Sequence, residues 1–440
     1  MSKLLITGGT VIDPASRTNK AADVAIVDGI VAEIGKKLTR TPLGPDDRVI
    51  DATGCIVSPG LIDPHVHLRE PGGERAETIA SGTGAGVAGG FTTLCCMPNT
   101  TPAIDNDVLV HFVLSRARET GACRVFPVAA VSKGRRGEEL AELGLMARAG
   151  AVGFSDDGDC IASAALMNRA LASVKATGRV LMQHCQEPTL ARPGPGGAVM
   201  HAGEVSTRLE LSGWPRSAEE LIIERDVRLN RAHGCAYHAQ HISSGGSIEI
   251  IRRARKEGQP VTGEASPHHL LLTCDLIETS GYDTRYKMNP PLREKSDIKL
   301  IKEGIADGTI TILATDHAPH PAETKETPFD TASFGIVGLE TALALYAQAL
   351  IDDDVLTWPQ MLAMLTINPA KLCGLDRSHG LGSLRKGGPA DVTIIDPNEK
   401  WTIATSTFVG QSKNSPFIGR AVKSRVVATI VAGQVKFARR

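Results

Sequence analysis

The chain has 440 residues, of which 42% are hydrophobic and 22% charged, with a formal net charge of -1. That length predicts a large domain with a smaller companion, and the balanced charge, with no basic arm or face, excludes nucleic acid as a partner. No apolar run is long enough to span a membrane and the opening Met1 to Gly9 lacks the apolar stretch of a secretion signal, so a cytoplasmic location is expected. The nine cysteines form no Cys-x-x-Cys pair and sit mostly in apolar segments, which reads as reduced core thiols.

Residues 1 to 58 read as short strands and turns: Leu4 to Ile6, Asp23 to Val27 with an Asp28-Gly29 hairpin signal, Ile30 to Ala32, and Arg48 to Asp51. Residues 376 to 440 have the same texture, in Ala390 to Ile395 and Val426 to Val431 before the turn Ala432-Gly433. Neither end has enough apolar surface to stand alone, so the two are expected to join in one small β domain bracketing residues 59 to 375.

In that middle part strands alternate with amphipathic helices. Eight candidate strands are Gly60 to Leu68, Phe91 to Met97, Arg124 to Val131, Ala151 to Ser155, Arg179 to His184, Ala236 to Ile242, Val261 to Ala265 and Thr311 to Thr315. Eight parallel strands close a barrel, so the predicted fold is a (β/α)8 barrel with a small β domain formed from both termini. Helices are expected over Gly137 to Ala149, Ala162 to Thr177, Ser247 to Lys256 and Gly338 to Ile351, and Ser217 to Glu220 fits a capping box. Two connections, Gln186 to Ser206 and Ala318 to Phe334, are longer and richer in Gly or Pro than a scaffold needs; the second follows the last strand and suits a lid.

The strand ends carry the chemistry. His65 and His67 stand at i and i+2 where the first strand hands over to a loop, a spacing that lets both grip one metal ion. Strand four ends Ser155-Asp156-Asp157-Gly158, strand five ends Gln183-His184, strand six Gln240-His241, and strand eight Thr315-Asp316-His317. A lone buried histidine is more often a structural hydrogen-bonder, but five such positions on one rim are hard to dismiss. Imidazole from His65, His67, His184 and His241 with carboxylate from Asp157 and Asp316 exceeds the needs of one catalytic zinc, and two metals sharing a carboxylate fit better. Asp316 is the candidate proton carrier. Arg69, Asn99 and Asn289, after strands or in rim loops, suit a small anionic substrate with an amide or imide edge, while Asn99 equally suits a turn. His268-His269 follow Ser266-Pro267 and read as structural, and His111, His201, His233, His238 and His379 as ordinary.

The run Asp63 to Gly72 resembles the metal-binding signature of dihydroorotases, in the amidohydrolase superfamily. It is accompanied in family order by Met97-Pro98-Asn99-Thr100-Thr101-Pro102, Asn289-Pro290-Pro291-Leu292-Arg293, Thr315 to His320, and Phe334 to Thr341. The absence of a lysine at the strand-four end is similar to type I bacterial dihydroorotases, which bridge two zinc ions with an aspartate in place of a carbamylated lysine. The motif aligns Asp157 with the bridge and leaves Asp156 beside it, the two being exchangeable at this level.

This resemblance implies reversible cyclisation of N-carbamoyl-L-aspartate to L-dihydroorotate and water in pyrimidine biosynthesis. In the hydrolytic direction, metal-bound hydroxide would attack the ring amide and Asp316 shuttle the proton. His67, Arg69, Asn99 and His320 would stand by the substrate, with Arg69 and Asn99 on its carboxylate, and Asn289 with the Phe334-Gly335 backbone would contact the ring. Partner expectations are a homodimer and association with aspartate transcarbamoylase. Two rivals stay open: another cyclic amidase, such as an allantoinase or hydantoinase, and a catalytically dead barrel kept for assembly.

Overall fold

A computed structural model describes residues 3–38, 44, 47–191 and 196–439. Pro193, Gly194 and Pro195 of the first long connection lie outside the described residues.

All eight predicted barrel strands are present, as Leu61–Val66, Phe91–Cys96, Arg124–Ala129, Gly153–Phe154, Val180–Gln183, Tyr237–Ala239, Val261–Ala265 and Ile312–Leu313. They form one sheet in chain order with every neighbouring pair parallel. The seam between first and last closes through a parallel bridge of Val66 to His317 and the His67 amide donating to the His317 carbonyl at 2.8 Å. The Asp63 carboxylate locks it further, accepting from the Thr315 amide at 3.2 Å and the His65 amide at 3.0 Å.

The strands read as apolar runs because both faces are covered. Ile62, Phe126, Val128, Val180 and Met182 pack inside the barrel, whereas Leu61, Val66, Leu94 and Val125 pack outward against helices. Ile62 and Val66, four residues apart, would share a face in a regular strand. A register shift between Asp63 and Val66 reverses the alternation, and this turns His65 and His67 inward.

The terminal segments build two sheets. One orders Ile30–Gly35, Asp23–Val27, Lys3–Thr7 and Arg48–Asp51; the other joins Gln434–Ala438, Ala421–Val431, Val392–Thr402, Ile56–Pro59, Thr10–Asp13 and Thr18–Ala21. N-terminal Val11, Val24, Ile26 and Val57 share a core with C-terminal Val392, Ile394 and Ile430, which is why neither end needs to fold alone.

Helix ends depart from expectation in three places. The helix predicted from Gly137 begins at Leu143, after a short 3-10 turn at Lys133–Arg135. The one predicted over Gly338 to Ile351 is α-helical only at Ala342–Tyr346 and continues as a π-helical turn over Ala347–Ile351. Ser217 starts the helix Ser217–Asn230 but makes no capping box. The acids of its first turn are engaged elsewhere: Glu219 accepts from the Ser243 and Ser244 amides and the Ser247 hydroxyl, and Glu220 from the Ser244 hydroxyl.

Candidate active site

His65 and His67 leave the first barrel strand, His184 follows strand five and His241 follows strand six, and all four rings are buried at the C-terminal mouth. Three of the four turn their outer nitrogen to an acceptor. His65 Nδ1 donates to Glu264 at 2.6 Å, His67 Nδ1 to Asn99 Oδ1 at 2.7 Å, and His184 Nε2 to Gln186 Oε1 at 2.9 Å. Each bond fixes the tautomer that directs the opposite nitrogen's lone pair inward.

Asp157 stands where those lone pairs meet. His65 Nε2 lies 3.3 Å from one carboxylate oxygen, His67 Nε2 3.4 Å from the other, and His184 Nδ1 3.4 Å from the first. Two trios of ligand atoms, His65-His67-Asp157 and Asp157-His184-His241, each fall within 4.8 Å of one another and share this one acid. Asp156 points elsewhere: it accepts from the Val131 and Ser132 amides at 2.9 and 3.0 Å and from the Ser132 hydroxyl. The chain turns at Asp157-Gly158, with the Asp159 amide donating back to the Asp156 carbonyl at 2.9 Å, and the two carboxylates part there. Asp316 reaches the first trio, 3.1 Å from His67 Nε2 and 3.6 Å from His65 Nε2.

Arg69, His241 and Asp316 all have positive φ, at 60°, 31° and 49°. Such backbone is uncommon outside glycine and concentrates where side-chain aim outweighs strain.

One cavity of about 350 Å³ collects Arg69, Asn99, Asn289, His320, Phe334 and Gly335 together with His67, Asp157, His184, His241 and Asp316. His65 lies behind this lining, fully buried. Arg69 Nε donates to the Pro319 carbonyl at 3.1 Å, and its Nη2 lies 3.3 Å from His320 Nε2. That nitrogen is 2.6 Å from the Phe334 carbonyl, to which it must donate, so it does not also accept from Arg69. The Asn289 Oδ1 is buried without a protein donor among the described residues. His268 and His269 lie in the short helix Pro267–Leu271 and do not line the cavity.

The segment from Ala318 to Phe334 roofs the cavity and is tied down at both roots. Asn414, from the loop before the strand Ala421–Val431, donates to the Ala318 and Gly335 carbonyls at 3.3 and 3.1 Å and accepts from the His320 amide at 3.2 Å. Lys325 donates to the Ser333 and Gly335 carbonyls at 2.8 and 3.2 Å.

Two of these residues escaped the reading of the sequence. Glu264 lies inside strand seven, fully buried, and accepts from His65, from His238 Nε2 at 2.9 Å and from the His241 amide at 3.0 Å. Its signal was available: a carboxylate within a buried apolar strand needs donors to offset its desolvation. Asn414 carried no local signal at all.

Burial works against charge throughout the site, yet the carboxylates stay ionised. When protonated, the imidazoles facing Asp157 and Asp316 hold both below the usual carboxylate range despite desolvation, and a cation at the inward nitrogens would act in the same direction. Glu264 is held down in the same way by His65 and His238. Burial pushes the Arg69 guanidinium down to about 10, which leaves it cationic at neutral pH. Inward-facing imidazole nitrogens around a shared carboxylate, each backed by an outer acceptor, are the donor chemistry of a divalent-metal site, and the residues present fit one.

Comparison with known proteins agrees with this geometry. A dihydro-orotase-like family model matches residues 54–247 and an amidohydrolase family model residues 259–437. A dihydroorotase of Pelotomaculum thermopropionicum is 46% identical over 433 residues, covering 98% of each chain. One of Pelobacter propionicus is 44% identical over 436 residues, covering 99% of this chain and all of the relative. Among solved structures, the L-hydantoinase (dihydropyrimidinase) of Arthrobacter aurescens superposes with a TM-score of 0.86 at 26% identity, covering 99% of this chain and 96% of its own. On this full-length likeness, and on the barrel-mouth histidines and aspartates described above, the chain belongs to the dihydroorotase family of amidohydrolases.

Proposed function

We propose that the chain catalyses the reversible cyclisation of N-carbamoyl-L-aspartate to L-dihydroorotate and water in pyrimidine biosynthesis, using two zinc ions. The observation that carries this reading is the meeting, at one wall of a cavity of about 350 Å³, of two potential ligand trios that share Asp157, with the cationic Arg69 and two amide side chains lining the same cavity. His65, His67 and Asp157 would hold one ion and Asp157, His184 and His241 the other. Nitrogen and oxygen donors of this kind suit zinc. When bound, such a pair supplies Lewis acidity to water and to a carbonyl group near neutral pH.

The chain's own residues do the rest. In the hydrolytic direction Asp316, ionised and beside His67, takes the proton of the attacking water and delivers it to the ring nitrogen as the C–N bond breaks; cyclisation reverses these transfers. Arg69 pairs with the substrate carboxylate, and Asn99, whose Oδ1 is committed to His67, offers its Nδ2 to the same group. The unpaired Asn289 Oδ1 accepts a ring N–H, and the Phe334-Gly335 backbone with His320 closes over the ring. The roof excludes water from the reacting centre.

The same reading places residues 1–58 and 376–440 in the small β domain and 59–375 in the barrel. It assigns the protein to the cytoplasm as a homodimer able to associate with aspartate transcarbamoylase. The test is loss of the amide-band absorbance of L-dihydroorotate on incubation with zinc-loaded protein, with dihydrouracil, hydantoin and allantoin alongside. Turnover of dihydroorotate alone is expected. Turnover of the uncharged rings with dihydroorotate untouched would overturn the substrate assignment and leave a hydantoinase-like activity on the same barrel.

A further inference from the structure

A second cavity, of about 690 Å³, opens at the opposite, N-terminal end of the barrel. Arg124 begins strand three, Arg179 immediately precedes strand five, Arg118 stands in the last turn of the helix Asp107–Thr120, and Lys436 lies on the strand Gln434–Ala438. All four line this cavity, and among the described residues no carboxylate lines it with them. Asp391 engages Arg124 through bonds of 2.8 and 3.3 Å. Among the described residues the side chains of Arg118, Arg179 and Lys436 have no hydrogen-bond or ion-pair partner, and the Arg179 Nε is sealed from water with no acceptor. Cations without a counter-charge around one cavity are free to take an anion from solution.

The remaining wall suits a flat ring. Phe126 and His379 meet edge to face, with centroids 4.8 Å apart. Burial and the neighbouring Arg124 and Arg179 push the imidazole down, so at neutral pH it adds an uncharged ring surface. Two helices, Asp107–Thr120 and Leu143–Ala149, end at the cavity and add backbone carbonyls able to accept from an amino group.

We propose that this cavity is a binding site for a nucleoside monophosphate, its phosphate held by Arg118, Arg179 and Lys436 and its base laid against Phe126 and His379. Guanidinium groups bind phosphoryl oxygens through paired, charge-assisted bonds, and a cavity of several hundred Å³ accommodates the base and sugar. The site is distinct from the histidine cluster, which lies at the other mouth.

Isothermal titration of the metal-loaded full chain with AMP, GMP, CMP and UMP, and with inorganic phosphate at matched ionic strength, tests this. At least one nucleotide should bind saturably, and about ten-fold or more tighter than phosphate, because only the nucleotide also reaches the aromatic wall. Arg179→Gln with Lys436→Gln should weaken that binding about ten-fold or more while leaving dihydroorotate turnover unchanged. Arg118→Gln, on an exposed helix face, repeats the test should the double variant fold poorly. Absence of binding by all four nucleotides, equal binding of phosphate, or affinity undiminished in the variants would each overturn the proposal.

Discussion

The two mouths of the barrel are built on the same apolar staves and end in opposite electrostatic states. At the C-terminal mouth four imidazoles and the two acids Asp157 and Asp316 are buried together, and each of the two acids has imidazole nitrogens within 4 Å. At the N-terminal mouth arginines and a lysine stand round a cavity where, among the described residues, the single pairing is Arg124 to Asp391. The strands therefore set where chemistry can sit, and the residues just beyond each strand end decide what it is. Dense compensation at one end makes each member costly to remove; sparse pairing at the other makes substitution cheap.

The largest break in that contrast is expected at Asp157. Asp157→Ala removes the acid common to both trios, so metal analysis should find both ions depleted and turnover lost. Asp156→Ala, one residue away, should keep its metal while losing about 1–3 kcal/mol of stability, because the Val131 and Ser132 amides lose their acceptor. The reverse outcome would move the bridge to Asp156. Next comes Asp316→Ala, where turnover should fall about 100- to 10,000-fold for loss of the proton carrier. Near-normal turnover would remove its assigned role.

Glu264→Gln should weaken metal affinity about 10- to 100-fold in a chelator competition, since an amide cannot accept from His65, His238 and the His241 amide as the carboxylate does. Unchanged affinity would make Glu264 a packing residue only. In the roof, burial first and then Lys287 push Lys325 down to about 7. Its folded value lies below the unfolded one near 10.5, so the folded chain binds fewer protons between those limits. Stability from this group is full above the unfolded value and is lost as pH falls toward 7. Lys325→Met should flatten the melting-temperature profile across that window, and an unaltered profile would refute the shift. The smallest effect is expected at the other mouth: Arg124→Gln should cost about 1 kcal/mol or less by thermal melting, with dihydroorotate turnover intact.

Barrel and terminal sheets were legible because burial on both faces writes strands as uninterrupted apolar runs, and the histidines were legible because they stop those runs. What stayed hidden depends on partners distant in the chain. Glu264 reads as an isolated acid until the barrel closes and sets it against His65, 199 residues away. Asp156 and Asp157 are equivalent on paper, since the phase of a strand end is fixed only by its neighbours' register. Ser217 misled for a related reason: its capping partner Glu220 is drawn to Ser244, which caps the start of the next helix, Gly245–Lys256. Near Val66, a register shift that no local residue pattern announces decides which way the two histidines point.

Asn414 gives the architecture a further meaning. The amide that pegs both roots of the roof comes from a loop between C-terminal strands, so the keystone of the catalytic chamber belongs to a different building block from its walls. A barrel cut free of its terminal sheets would keep every histidine and aspartate of the site and forfeit the peg that seats its cover. The cover over the cavity is thereby fastened by a stretch of chain that supplies none of the cavity's histidines or aspartates.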